Sequence, residues 1–101
     1  MKKVSYQVSY QELKKAQMIL RALNHKLRDQ ILSLINVNGK INVTQIYVKL
    51  RLEQSVASQH LAILRKANIV STTREGKIIW YSVNYETIEK ISKYTHQLLK
   101  K

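Results

Sequence analysis

A mainly α-helical domain with one small β-hairpin is what this sequence predicts, on three observations. Apolar residues recur at three- and four-residue spacing over most of the chain, the period of helices that bury one face. The stretch 69–83 breaks that period, because β-branched and aromatic residues crowd there around a single glycine, as strands joined by a tight turn do. The 101 residues include no proline and only 2 glycines, Gly39 and Gly76, so sharp turns are confined to few places. This length suits a single domain over residues 1–101, since domains run from about 50 to 250 residues.

The first helix is expected after Ser9, with Glu12 as the partner in a capping box and Leu13, Ala16, Leu20 and Leu23 as its apolar stripe. Asn24 suits the cap of a second helix, which buries Leu27, Ile31, Leu34 and Ile35 and stops at Gly39. Ile41-Asn42-Val43 reads as a short strand, and Thr44 as the N-cap of a third helix carrying Ile46, Tyr47 and Leu50. After a tight turn at Arg51-Leu52-Glu53, a fourth helix is expected over 54–67. Its Ala57, Leu61 and Leu64 share one face, leaving Gln54, Ser55, Ser58 and Gln59 on the other. Within 69–83, Ile69–Thr73 pairs with Lys77–Val83 about a two-residue turn at Glu75-Gly76. A last helix from about Tyr85 lines up Ile88, Ile91, Thr95 and Leu98, with Tyr94 and Leu99 beside them. The order helix, helix, short strand, helix, helix, hairpin, helix is that of a winged helix-turn-helix.

Charge indicates what such a domain would hold. The 18 Lys and Arg residues outweigh 6 Asp and Glu to give a formal charge of +12, a field that attracts a polyanion through counterion release. Double-stranded DNA is the expected partner. Amides and hydroxyls at Gln54, Ser55, Ser58 and Gln59 can bond base edges in the major groove, where a purely electrostatic binder would need only Lys and Arg. His60 is a further candidate DNA contact, although its place beside Leu61 better suits a half-buried role. Arg74 and Lys77 flank the hairpin turn and can reach phosphates or the minor groove. Trp80 and Tyr81 fit packing across the strand pair better than stacking on bases.

Other function classes find little support. There is no cysteine, hence no disulfide, thiolate ligand or thiol switch. His25 and His96 are isolated, and no histidine pair has the spacing that sets two imidazoles on one helical face. Without a Gly-rich phosphate loop, a nucleophile elbow or metal-ligand spacing, no enzyme and no cofactor are expected. The apolar runs are too short to cross a bilayer, and Tyr6, Gln7, Ser9 and Tyr10 follow basic Met1–Ser5 where a signal peptide needs an apolar core. A cytoplasmic location without membrane partners is expected. The first and last helices carry more apolar surface than so small a core can cover, so Leu13, Leu20, Ile88, Ile91 and Leu98 are expected to bury against a second copy in a two-fold dimer. Lys14, Lys15 and Arg21 would then form a solvated or DNA-facing edge.

The run Leu52-Glu53-Gln54-Ser55-Val56-Ala57-Ser58-Gln59-His60-Leu61-Ala62-Ile63-Leu64-Arg65-Lys66-Ala67-Asn68-Ile69-Val70 resembles the recognition-helix signature of the ArsR/SmtB family of bacterial repressors. The likeness extends upstream over Leu23–Leu32 and downstream through Arg74-Glu75-Gly76-Lys77 and Trp80-Tyr81-Ser82-Val83. It implies a bacterial transcriptional regulator, expected to repress, that pairs through its first and last helices. Glu53 and Lys26 stand where family members often have Ser and Pro, which removes one favoured N-cap and one favoured first-turn residue. The family's cysteine site falls on Ile41–Ile46, and its carboxylate-histidine site falls on Tyr85, Thr87, Leu98 and Lys101. None of these is a usual zinc ligand, so no metal is expected. The residues carry no signature of an effector. A nonspecific architectural DNA-binding protein is the alternative reading.

Overall fold

The computed structural model describes residues 9–100. Met1–Gln7, read above for an export signal, and Lys101, matched above to a family metal position, lie outside the described residues. Helix α1 (Tyr10–Leu23) begins where the Ser9 hydroxyl accepts the Glu12 N–H at 3.3 Å. Helix α2 (Lys26–Asn38) is capped by His25 rather than by Asn24: the imidazole Nδ1 accepts the Leu27 N–H at 3.1 Å. Asn24 is already committed to closing α1, donating its N–H to the Leu20 carbonyl. Gly39 ends α2 at φ +77° and ψ −58°, a conformation that a Cβ disfavours.

Strand β1 (Ile41–Asn42) runs straight into α3 (Val43–Leu50), and here too the cap differs from expectation. Asn42 Oδ1 accepts the Gln45 N–H at 2.9 Å while Gln45 Oε1 accepts the Asn42 N–H at 3.2 Å. This reciprocal pair satisfies two helix-end donors and leaves Thr44 inside the first turn. Arg51 then turns the chain at φ +56°, and the Arg51 and Leu52 N–H groups close on the Val48 and Tyr47 carbonyls. Helix α4 (Gln54–Lys66) ends one residue earlier than expected, in a Schellman arrangement. Asn68, at φ +61°, donates to the Arg65 carbonyl, and Ile69 donates to that of Leu64.

Strands β2 (Val70–Glu75) and β3 (Ile78–Val83) form the hairpin. The Glu75–Ile78 pairing makes Gly76-Lys77 the turn, shifted by one residue from the expected Glu75-Gly76. Gly76 has φ +64° and takes the first central position, as a type II′ turn requires. The short β1 joins the other edge of β3, pairing Ile41 with Tyr81 and Asn42 with Trp80, so the sheet has order β1-β3-β2. Helix α5 (Tyr85–Leu99) is capped by Asn84.

The core lies among α2, α3, α4 and the base of the sheet. Ile31, Ile35, Ile46, Leu61, Leu64 and Ile69 are all essentially inaccessible, each stabilising by about 1.5–3 kcal/mol relative to exposure. The terminal helices belong to this core only in part. No residue of α5 is buried, and its side-chain hydrogen bonds to the body lie in its first turn, where Tyr85 and Thr87 bond Asn36 and Asn68 and Ile88 packs on the core. The protein is accordingly elongated, 61 × 25 × 21 Å with a radius of gyration of 16.4 Å, against about 13 Å for a compact chain of this length.

Candidate nucleic-acid interface

Ala57, Leu61 and Leu64 are buried and set the rotation of α4 about its own axis. Gln54, Ser55, Ser58 and Gln59 therefore form one exposed polar row from the N-terminus of α4 to its middle. Glu53, the N-cap, makes no side-chain capping bond, so the first-turn N–H groups beside that row have no side-chain cap and retain the partial positive charge of a helix start.

His60 is on the same helix but not in the row. It is half-buried, its Nδ1 lies 3.2 Å from a terminal nitrogen of Arg28, and its ring sits 4.8 Å from that of His25. Among the sequence candidates it is the one that turns inward, with its Nδ1 committed to the protein. Burial, then the neighbouring His25 and Arg28, push the His60 pKa below its usual value.

Arg28 is the centre of this inner cluster and has only 8% exposure. Its Nε donates to the Ala22 carbonyl at 2.7 Å and a terminal nitrogen donates to that of Arg21 at 3.1 Å. Those carbonyls are in the last turn of α1, where helical geometry leaves acceptors free and the dipole favours a cation. One guanidinium thus joins the end of α1, the body of α2 and the back of α4. Sequence reading missed it, because a lone Arg in a helical pattern gives no sign of contacts so far along the chain.

At the far edge, Arg74 and Lys77 are exposed beside and within the hairpin turn. Arg74 Nε donates to the Gly76 carbonyl at 3.2 Å, holding that side chain over the turn. Lys40, which sequence reading also passed over, braces the wing from the other side. Its Nζ lies 3.1 Å from Glu75 Oε1 and 5.1 Å from the centroid of the Trp80 ring. Trp80 is half-buried beneath that ammonium, with no partner for its Nε1 among the described residues.

The five residues expected at a dimer interface lie on the two terminal helices. Leu13, Leu20 and Leu98 are 51%, 40% and 66% exposed, while Ile88 and Ile91 are half-buried. Leu13, Leu20 and Ile91 line an open groove between α1 and α5 with a volume of about 560 Å³. His96 is exposed near the end of α5. Among the described residues, no three His, Asp or Glu side chains gather within metal-binding reach, and no helix is long and apolar enough to cross a membrane.

Comparison with known proteins bears on the family and the fold. The model of the family described as "Bacterial regulatory protein, arsR family" matches residues 25–72, from the α2 cap into β2. The transcriptional repressor PagR of Bacillus anthracis is 33% identical over 90 residues, covering 89% of this chain and 90% of its own. The transcriptional activator HlyU of Vibrio cholerae is 31% identical over 84 residues, covering 83% of this chain and 77% of its own. Among solved structures, NolR from Sinorhizobium fredii superimposes with a TM-score of 0.73 at 30% identity, covering 98% of this chain and 97% of its own. The fold of these relatives is the one described above.

Proposed function

The chain belongs to the arsR family of bacterial regulatory proteins, and on that premise we propose that it is a homodimeric, sequence-specific DNA-binding repressor of transcription. It reads the major groove of double-stranded DNA with the exposed row of α4 and grips the flanking backbone with the wing. The carrying observation is the row itself: Gln54, Ser55, Ser58 and Gln59 stand together and exposed on a helix whose rotation the core sets. A row of amides and hydroxyls can discriminate base edges, whereas an architectural binder has no use for it. Arg74 and Lys77 supply backbone contacts that set position without reading sequence.

Repression, rather than activation, is the reading favoured by the relatives named PagR, SdpR and the biofilm growth-associated repressor, against one named as an activator. Dimerisation is supported by the exposed leucines of α1 and α5 and by the small share of α5 that the monomer covers. The whole chain acts as one binding domain, without catalysis, in the cytoplasm of a bacterium. Selection of bound sequences from random duplex DNA at two salt concentrations tests the proposal. A recovered motif with two-fold symmetry that persists at the higher salt is expected, and recovery of unselected sequence at both would overturn it.

A further inference from the structure

Helix α1 separates two grooves, and only the one shared with α5 enters the dimer proposed above. On its opposite side, Lys14, Lys15, Met18 and Arg21 face Arg28 of α2 and Ile63 of α4 across a cavity of about 650 Å³, within the range of about 300–1,000 Å³ usual for small-molecule sites. The cavity is ringed by cations without counter-charges. No acidic residue lines it, and the ion pairs of the described residues, Lys40–Glu75, Lys90–Glu86 and Lys93–Glu89, are all elsewhere.

Arg28 makes the arrangement more than a patch of surface lysines. It is nine-tenths buried, and burying a cation costs several kcal/mol unless opposite charge or hydrogen bonds offset it. Its bonds to Ala22, Arg21 and His60 use three of the five guanidinium N–H donors. One N–H on each terminal nitrogen has no acceptor among the described residues, which leaves donors that an oxyanion can take up. Met18 and Ile63, 39% and 42% exposed, supply carbon surface on the same cavity, extended by the aliphatic stems of the lysines.

We propose that this groove binds a small amphiphilic carboxylate, its head on Arg28 with Arg21 and the lysines around it, and its hydrocarbon body against Met18 and Ile63. Because Arg28 also holds His60, an occupant reaches the back of α4. That consequence rests on the DNA-reading role of α4, whereas occupancy of the groove does not.

Isothermal titration of the full chain with octanoate, 1-octanol and inorganic phosphate tests the site. Octanoate is expected to saturate at one per chain, with both controls weaker by about tenfold or more, since charge-assisted bonds and carbon burial each contribute on that scale. The triple variant Lys14→Gln, Lys15→Gln, Arg21→Gln is expected to weaken octanoate about tenfold. Met18→Glu, at a half-exposed helix position, should weaken it independently. Phosphate binding as tightly as octanoate would reduce the groove to a generic anion patch. Octanoate binding unaffected by both variants would place it elsewhere, and failure of octanoate to bind, with a lower salt dependence of DNA binding in the triple variant, would make the groove a DNA-backbone contact. Each result overturns the proposal. If octanoate occupies the groove yet leaves DNA affinity unchanged, the site stands and only the link to α4 falls.

Discussion

Arg28 and His60 meet side chain to side chain at 3.2 Å across 32 residues of sequence. A guanidinium can only donate, so His60 Nδ1 is the acceptor and the ring's proton is on Nε2. Protonating His60 would remove that acceptor and set another positive charge against Arg28 and His25.

Stability is therefore expected to fall on mild acidification. Burial, with His25 and Arg28 nearby, holds the folded-state pKa of His60 below the ordinary 6.5, so the unfolded chain takes up its proton first. The contribution is present above that ordinary value and is lost as pH falls towards and through the lower folded value. Urea unfolding at about pH 7.5 and about pH 5.5 measures it. His60→Gln keeps an acceptor without a titrating group and is expected to flatten the dependence. Equal slopes for the two proteins would remove His60 as its source.

Gly39→Ala is expected to cost about 1 kcal/mol or more through the backbone alone. A Cβ there would meet nothing within 4 Å, but the residue sits at φ +77°. The unfolding midpoint in urea should drop with an unchanged m-value. An unchanged midpoint would mean that the end of α2 relaxes freely.

Some features of the fold and the site were legible in the sequence, and their physics says why. The polar row of α4 could be read because helical period and burial coincide over Ala57, Leu61 and Leu64. The hairpin was visible but its turn was not, since one glycine suits either the second position of an X-Gly turn or the first of a Gly-X turn. Only the Glu75–Ile78 pairing decides between them. The helix caps slipped for a similar reason. Asn24, His25, Asn42 and Thr44 all offer acceptors, and which one is used depends on where the preceding element ends. Arg28–His60 and Lys40–Glu75 join residues distant in sequence, so no local pattern announces them.

Ile91→Lys should disrupt the dimer. Ile91 is half-buried in the single chain and lines the groove beside Leu13 and Leu20, so an ammonium there would have to be desolvated in the proposed interface, at a cost of several kcal/mol. Sedimentation is expected to show a wild-type dimer and a variant monomer at micromolar concentration. The variant should also bind operator DNA more weakly, without the second subunit's effective concentration. A wild-type monomer at that concentration would count against the interface.

The sharpest division lies between the wing and α4, because phosphate contacts position a protein while base contacts specify sequence. Lys77 is exposed at the second central position of the turn, where its ammonium can reach a phosphate but is no part of the row on α4. Lys77→Ala is expected to weaken binding to preferred and random duplexes alike. It should lower the salt dependence by about one unit for each phosphate no longer neutralised, so about two for a dimer. Gln54 and Gln59 are exposed in the polar row, and an amide can pair both edge groups of an adenine. Gln54→Ala or Gln59→Ala should cost about 1–3 kcal/mol on the preferred site and little on random DNA, with the salt slope unchanged. These outcomes separate mechanism from mere loss of affinity, since each mutant moves one quantity and leaves the other in place. Glutamine variants that kept the wild-type ratio between preferred and random DNA would remove α4 as the reader. An architectural role, resting on charge and shape, would then describe the protein better than a repressor does.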